Sequence, residues 1–147
     1  MKSTIIFVLF ISILLTGCGN SSAVTSDVGV LTVGDGSNQK TYTVEDLKAL
    51  PPSEAVFNQV NYVGVSLPYL LKDAGIDTHD LTAVKAIASD GYSVYYEPKL
   101  FLREDVVVVY AEVDEHLAED DGLFRMVLPG EEGKLSVRKL IQIEAVP

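Results

Sequence analysis

The sequence predicts a single α+β domain, in which one mixed or antiparallel sheet carries a few short helices. Segments with strand character outnumber segments with helical character, and the helical segments are short. Four consecutive valines, from Val106 to Val109, are typical of a strand that is buried at the centre of a sheet. The length of 147 residues allows one hydrophobic core and is too small for two.

Eight segments are predicted to be strands, because they alternate apolar and polar residues or are rich in β-branched residues. In chain order they are residues 28–34, 40–42, 54–62, 83–89, 92–96, 106–113, 124–128 and 137–146. Turn residues Asp35 to Asn38 join the first two strands, and Asp90-Gly91 joins the fourth to the fifth. Both pairs are therefore expected to form hairpins. Residues 114–122 are expected to form an acidic loop.

Two short helices are predicted from their capping residues and apolar faces. Thr43 begins the first helix, with Asp46 three residues later as in a capping box, and Pro51 stops it. Ser66 is expected to cap the second helix, which ends at Gly75. The residues expected to be buried on these helices are Leu47, Leu50, Leu67, Leu70, Leu71 and Ala74.

The N-terminal segment has the features of an export signal. Lys2 supplies a positive charge, residues 5–15 are apolar except for Ser12, and Leu15-Thr16-Gly17 precedes Cys18. The apolar run is too short for a permanent transmembrane helix, which needs about 20 residues. The pattern resembles the lipobox of bacterial lipoproteins.

An ordinary signal peptide with a chance cysteine is the alternative to a lipobox, but the chain's one cysteine, Cys18, falls at the lipobox position. We therefore expect a signal peptide at residues 1–17, a lipidated flexible tether at 18–27 and a folded domain at 28–147. Cys18 would carry the lipid, and this anchor would hold the domain at the extracytoplasmic face of the cell membrane.

Charge and cysteine content exclude several classes of function. The net charge of −10 repels nucleic acid, so no nucleic-acid partner is expected. With Cys18 used for lipid, the folded domain has no thiol for a disulfide, a thiolate metal site or cysteine catalysis. No metal site is assigned either: the acidic loop lacks the spacing of an EF-hand, and a solvated loop is favoured over a Ca²⁺ site.

Four segments, in order along the chain, carry a family resemblance. They are Tyr42 to Pro51, Tyr62 to Ile76, Ala88 to Val94, which contains Asp-Gly-Tyr, and Arg125 to Glu144, which contains Arg-Met-Val-Leu-Pro-Gly and Ser-Val-Arg-Lys-Leu. Together they resemble the oxidoreductase molybdopterin-binding domain, the fold of the sulfite oxidase family. The resemblance covers roughly residues 40 to 146 and implies a single sulfite-oxidase-like domain, molybdopterin as the cofactor and oxidoreductase activity.

The chain departs from this family where the metal is held. The family's enzymes bind molybdenum through the pterin dithiolene and a protein cysteine, which should lie near residues 54–62, and no cysteine is there. The segment that surrounds the cofactor after this strand is missing. The family's His and Pro before Arg125 are absent from residues 120–124, and Leu135 replaces a basic residue. The resemblance therefore supports the fold, whereas these departures argue against the enzyme, so no catalytic residue is assigned.

Seven residues are candidates for ligand binding, and each also has a simpler interpretation. They are Asp90, Gly91, Tyr92, Arg125, Gly133, Ser136 and Arg138. The Asp-Gly-Tyr segment is favoured as a turn with a packed tyrosine over a ligand contact. Arg125 either binds an anion or pairs with a nearby carboxylate, and the pair is favoured. The segment from Gly133 to Arg138 either cradles a phosphate through backbone N–H groups or forms a plain loop.

Two functions from different classes follow. In the first, the chain is a non-catalytic, surface-tethered module that binds a small ligand or an extracytoplasmic redox protein. In the second, it is a molybdopterin-dependent oxidoreductase that holds its cofactor without a protein thiolate. The missing cysteine favours the first function, and the Asp-Gly-Tyr and Ser-Val-Arg segments support the second.

Overall fold

The computed structural model describes residues 29–147. The signal peptide, Cys18 and the tether predicted before Val28 lie outside the described residues. Within the described part of the chain, no helix is both long and apolar enough to cross a bilayer.

Ten strands and three short helices make up the described elements. In chain order they are β1 (Leu31–Gly34), β2 (Gln39–Tyr42), α1 (Val44–Lys48), β3 (Ser53–Phe57), β4 (Val60–Ser66), α2 (Leu67–Asp73), β5 (Ala83–Ala88), β6 (Ser93–Tyr96), α3 (Pro98–Phe101), β7 (Val107–Glu112), β8 (Glu115–His116), β9 (Arg125–Val127) and β10 (Leu140–Val146), with 3₁₀ turns at Glu119–Asp121 and Gly133–Leu135.

The α+β class is confirmed, but the strands form two sheets where one was expected. The first sheet has the order β2-β1-β10-β5-β6 and is mixed, because β1 and β10 run parallel. The second sheet has the order β3-β4-β7-β8, with β9 also paired to β7, and is antiparallel. The two sheets share the chain's larger hydrophobic core.

The single strand predicted over residues 54–62 is instead a hairpin of β3 and β4. Asn58 and Gln59 both have positive φ, at 50° and 66°, as a two-residue type I′ turn requires. Apolar and polar residues continue to alternate through this turn, so the sequence pattern did not reveal the turn. Asn58 was the available signal, because asparagine tolerates left-handed backbone better than most residues.

The two predicted helices are present, but only one of them is capped as expected. Thr43 and Asp46 form the full capping box at α1. The prediction that the Ser66 side chain caps α2 was wrong: Ser66 is at the N-cap, but its hydroxyl donates to Glu104 at 3.1 Å. Pro68 removes one of the two N–H groups that such a cap would bind.

The valine run is buried on both faces of the second sheet, as predicted for a central strand. Val106 and Val108 belong to the larger core cluster, and Val107 and Val109 belong to a smaller cluster on the other face. All four side chains are completely buried. The smaller cluster also contains Phe57, Tyr62 and Val127, and it forms the floor beneath the site described below.

Gly64 permits β4 to approach β7 closely. The register between these strands shifts between Val63 and Gly64, and a Cβ at Gly64 would fall on the backbone of Val108 and Val109. Gly64, the glycine of the Tyr-Val-Gly-Val segment, is therefore required because the backbones of β4 and β7 approach too closely for a side chain.

We expect Gly64→Ala to lower the free energy of unfolding by about 3 kcal/mol, because β4 must move away from β7 to admit the methyl group. Gly133→Ala is the matched control: the nearest atom to its new Cβ would be Phe57 Cζ at 3.9 Å, an ordinary contact. Urea unfolding followed by circular dichroism measures both. Equal stability of the two variants would contradict this role of Gly64.

Candidate functional site

A cavity of about 390 Å³ lies where loops from both sheets meet. Six of the seven candidate residues line it, and Gly91 does not. The lining residues are Phe57, Asn58, Ala88, Asp90, Tyr92, Arg125, Gly133, Lys134, Ser136 and Arg138. The fold therefore brings the Asp-Gly-Tyr hairpin, Arg125 and the loop after β9 to one place, although they are far apart in sequence.

Arg125 is the buried cation of this pocket. It shares the face of β9 with Val127, so its side chain enters the smaller hydrophobic cluster. The guanidinium carbon lies 5.3 Å from the centroid of the Phe57 ring and 5.3 Å from that of Tyr62. Its Nη1 donates to Tyr62 Oη and to Asp121 Oδ2, each at 2.9 Å. The carboxylate pair favoured from sequence is confirmed.

Asp121 was missed as a site residue, because it was assigned to a solvated acidic loop. The structure buries it, with 4% of its surface exposed, at the end of a 3₁₀ turn. Its Oδ1 lies 3.0 Å from Arg138 Nε, while Oδ2 accepts from Arg125. One carboxylate thus positions both arginines. The four-residue spacing to Arg125 was the available signal, since nothing else distinguishes Asp121 from its acidic neighbours.

The Asp-Gly-Tyr segment forms the turn that was favoured from sequence. Asp90 Oδ1 accepts from the backbone N–H of Tyr92 at 2.9 Å, and Gly91 has a φ of 87°. Tyr92 is not packed as expected, because 47% of its surface is exposed. Its hydroxyl instead donates to the carbonyl oxygen of Lys134 across the pocket.

A second tyrosine holds the same loop from below. The hydroxyl of Tyr96 donates to the carbonyl oxygen of Leu135 at 2.6 Å, and the side chain is completely buried. Burial raises the pKa of Tyr96 far above its usual value, so the phenol stays protonated and remains a donor. Tyr92 and Tyr96, both from the β5–β6 hairpin, therefore donate to consecutive carbonyl groups, those of Lys134 and Leu135.

The loop from Gly133 to Arg138 does not offer a row of free backbone donors. The N–H groups of Leu135 and Ser136 donate to Glu132 and Gly133 within the 3₁₀ turn. The Lys134 ammonium pairs with Glu132 at 2.6 Å, and both side chains are exposed. This arrangement favours a plain loop over a phosphate cradle made of backbone N–H groups. Hydrogen bonds to a ligand would then come from side chains.

Two buried side-chain polar atoms of the described residues have no hydrogen-bond partner, and both belong to residues that line the pocket. They are Arg125 Nε and Ser136 Oγ. A buried donor left unpaired costs about 1–3 kcal/mol, so such atoms usually bind water or a ligand. An acceptor oxygen would suit both atoms.

The described residues were also compared with the requirements of a metal site. Across residues 29–147 no group of three or more His, Cys, Asp or Glu side chains could hold a metal ion. The described residues also contain no cysteine. The pocket can donate hydrogen bonds from nitrogen and hydroxyl groups, and it has no sulfur ligand to offer.

We expect Asp121→Asn to cost about 3 kcal/mol or more of stability, because it leaves the buried Arg125 charge without its counter-ion. Arg138→Gln breaks the other bond to Asp121, but the Arg138 side chain is 60% exposed, so we expect a loss below about 1 kcal/mol. Thermal and urea unfolding of both variants check this difference. A cost for Asp121→Asn no larger than that for Arg138→Gln would contradict a structural role of the buried pair.

Comparison with solved structures shows that the described residues share their fold with a known protein. The sulfane dehydrogenase SoxCD from Paracoccus pantotrophus superposes with a TM-score of 0.69 over 80% of this chain, at 20% sequence identity. The chain spans 38% of the length of that protein's chain. None of the curated proteins compared with the chain matches it.

A family model assigns the domain. The model of the oxidoreductase molybdopterin binding domain matches residues 37–147, which include every strand except β1 and all residues of the pocket. The described residues fold as a single sulfite-oxidase-like domain. The chain therefore belongs to the family of oxidoreductase molybdopterin-binding domains.

Proposed function

We propose that this chain is a non-catalytic, membrane-tethered module that binds a small ligand for an extracytoplasmic redox system. The observation that carries the proposal is the donor set of the pocket. Arg125, Arg138 and Ser136 supply N–H and O–H groups, and the described residues supply no thiolate. Molybdenum bound to a dithiolene favours a soft ligand, which these residues do not offer.

The pocket thus offers hydrogen-bond donors to acceptor oxygens and offers no sulfur ligand to the family's metal. Buried, unpaired Arg125 Nε and Ser136 Oγ suit acceptor oxygens. Neither atom supplies the soft sulfur that a cysteine gives the metal. This mismatch in donor chemistry supports a binding role over catalysis at a metal.

A molybdopterin-dependent oxidoreductase without a protein thiolate is the second candidate. Family membership favours it, as does the position of Arg125 and Ser136 in one pocket. The buried arginine could neutralise an anionic group of a pterin. The two candidates differ in a measurable quantity, the cofactor content of the purified protein.

We expect the full chain, expressed in a host that makes molybdopterin and purified in detergent, to contain far less molybdenum and pterin than one equivalent. Elemental mass spectrometry measures the metal, and fluorescence after oxidation measures the pterin. A family member that has the metal-binding cysteine, produced in the same host, is the positive control. Near-stoichiometric pterin in this chain would overturn the proposal and favour the second candidate.

Lipidation of Cys18 is the second part of the proposal, and it rests on the signal-like segment before this residue. We expect cells fed a labelled fatty acid to incorporate the label into the full chain. Cys18→Ser should abolish the labelling, whereas Ser22→Ala, in the same tether, should preserve it. Labelling that survives Cys18→Ser would exclude a lipid on this sulfur.

A further inference from the structure

We propose that the pocket binds a small organic anion with a single carboxylate head and a flat apolar body. This inference rests on the proposed binding function and names the class of ligand. It derives from three properties of the described residues: the unpaired donors, the balance of charge around them, and the apolar part of the wall.

The head of the ligand is placed by the unpaired donors. Arg125 Nε and Ser136 Oγ are buried without a partner, and Arg138 uses Nε for Asp121 while most of its side chain is exposed. A carboxylate has two oxygens and accepts hydrogen bonds from a guanidinium and a hydroxyl at once. Rotation of the Ser136 hydroxyl and entry of one oxygen beside Arg125 would satisfy both orphaned atoms.

The charge around these donors suits one negative charge. Asp121 accepts from both Arg125 and Arg138, so these three groups together keep one positive charge, and the solvent-exposed Asp90 adds a second carboxylate to the lining. The exposed Lys134 is paired with Glu132 and adds little. A doubly charged anion such as phosphate would meet a cation pair that is already half neutralised, and it would be repelled by Asp90. A monoanion needs less positive charge in the pocket to offset its own negative charge.

The body of the ligand is placed by the apolar wall. Phe57, Ala88 and Tyr92 line the pocket beside the donors. The volume of about 390 Å³ lies within the range of small-molecule sites. An aromatic ring would stack or pack against Phe57 and Tyr92.

Benzoate is the probe that combines these features. We expect isothermal titration of the full chain in detergent to show one benzoate site, with inorganic phosphate and neutral benzamide each binding at least about tenfold more weakly. Benzamide keeps the ring and removes the charge, and phosphate is the doubly charged anion that Asp90 should repel. The two comparisons test the charge of the head, which is absent in benzamide and larger in phosphate.

Ser136→Ala tests the placement of the head without removing a charge. Loss of one hydrogen bond to a charged group should weaken benzoate binding about tenfold. This variant should fold, because it deletes a hydroxyl that has no partner in the structure. Ser66→Ala is the matched control, since Ser66 is a buried serine whose hydroxyl binds Glu104 away from the pocket. Its benzoate affinity should be unchanged.

Each result of this experiment has a defined meaning. Phosphate binding tighter than benzoate, absence of benzoate binding to folded protein, or an unchanged affinity in Ser136→Ala would overturn the carboxylate assignment. These results would leave the cofactor-free binding function standing, because that depends on the pterin measurement. Stoichiometric pterin in the same preparation would overturn the binding function itself, whatever the titration shows.

Discussion

The buried carboxylate of Asp121 is the contact on which the arrangement of the site depends. It neutralises Arg125 inside an apolar cluster and fixes Arg138 at the mouth of the pocket. Its main chain is tied to the same region, because its carbonyl oxygen accepts from the N–H of Lys139 at 2.7 Å. Without a counter-ion, a guanidinium between Phe57 and Tyr62 would be costly to bury. Asp121, alone among the acidic residues of the segment 114–122, therefore acts as part of the core.

The two-sheet arrangement brings this contact to the hairpin of the other sheet. β7 is buried on both faces, so it separates the larger core from the cluster that contains Arg125. β9 pairs with β7 and sets Arg125 opposite Val109. The chain then crosses to β10, which pairs with β5 and lies in the same sheet as the Asp-Gly-Tyr hairpin. The pocket thus lies where the segment between β9 and β10, which joins the two sheets, passes the turn between β5 and β6.

The sequence predicted most of the strands and most of the pocket, because local patterns specify them, but β8 lies within the segment 114–122 that was expected to be an acidic loop, and α3 was not predicted. The valines of β7 and the Asp90-Gly91 turn depend on burial and φ preference, which are readable from a few adjacent residues. Two other features were not readable. The division into two sheets depends on pairing between distant strands, and Asp121 is also held by Arg138 and by the N–H of Lys139, which lie 17 and 18 residues further along the chain. The Asn58-Gln59 turn was hidden because alternation continues through it.

The tyrosine hydroxyls of the β6 hairpin have a consequence for the entropy of ligand binding. Tyr92 and Tyr96 fix consecutive carbonyl groups of the loop that carries Ser136, through hydrogen bonds that involve no ligand atom. A ligand that enters the pocket then loses its own freedom but does not have to order this loop. We therefore expect the ligand to bind a pre-organised loop, with little change in the loop's conformation. The backbone amides of the loop should exchange with solvent deuterium at nearly the same rate whether the pocket is empty or filled.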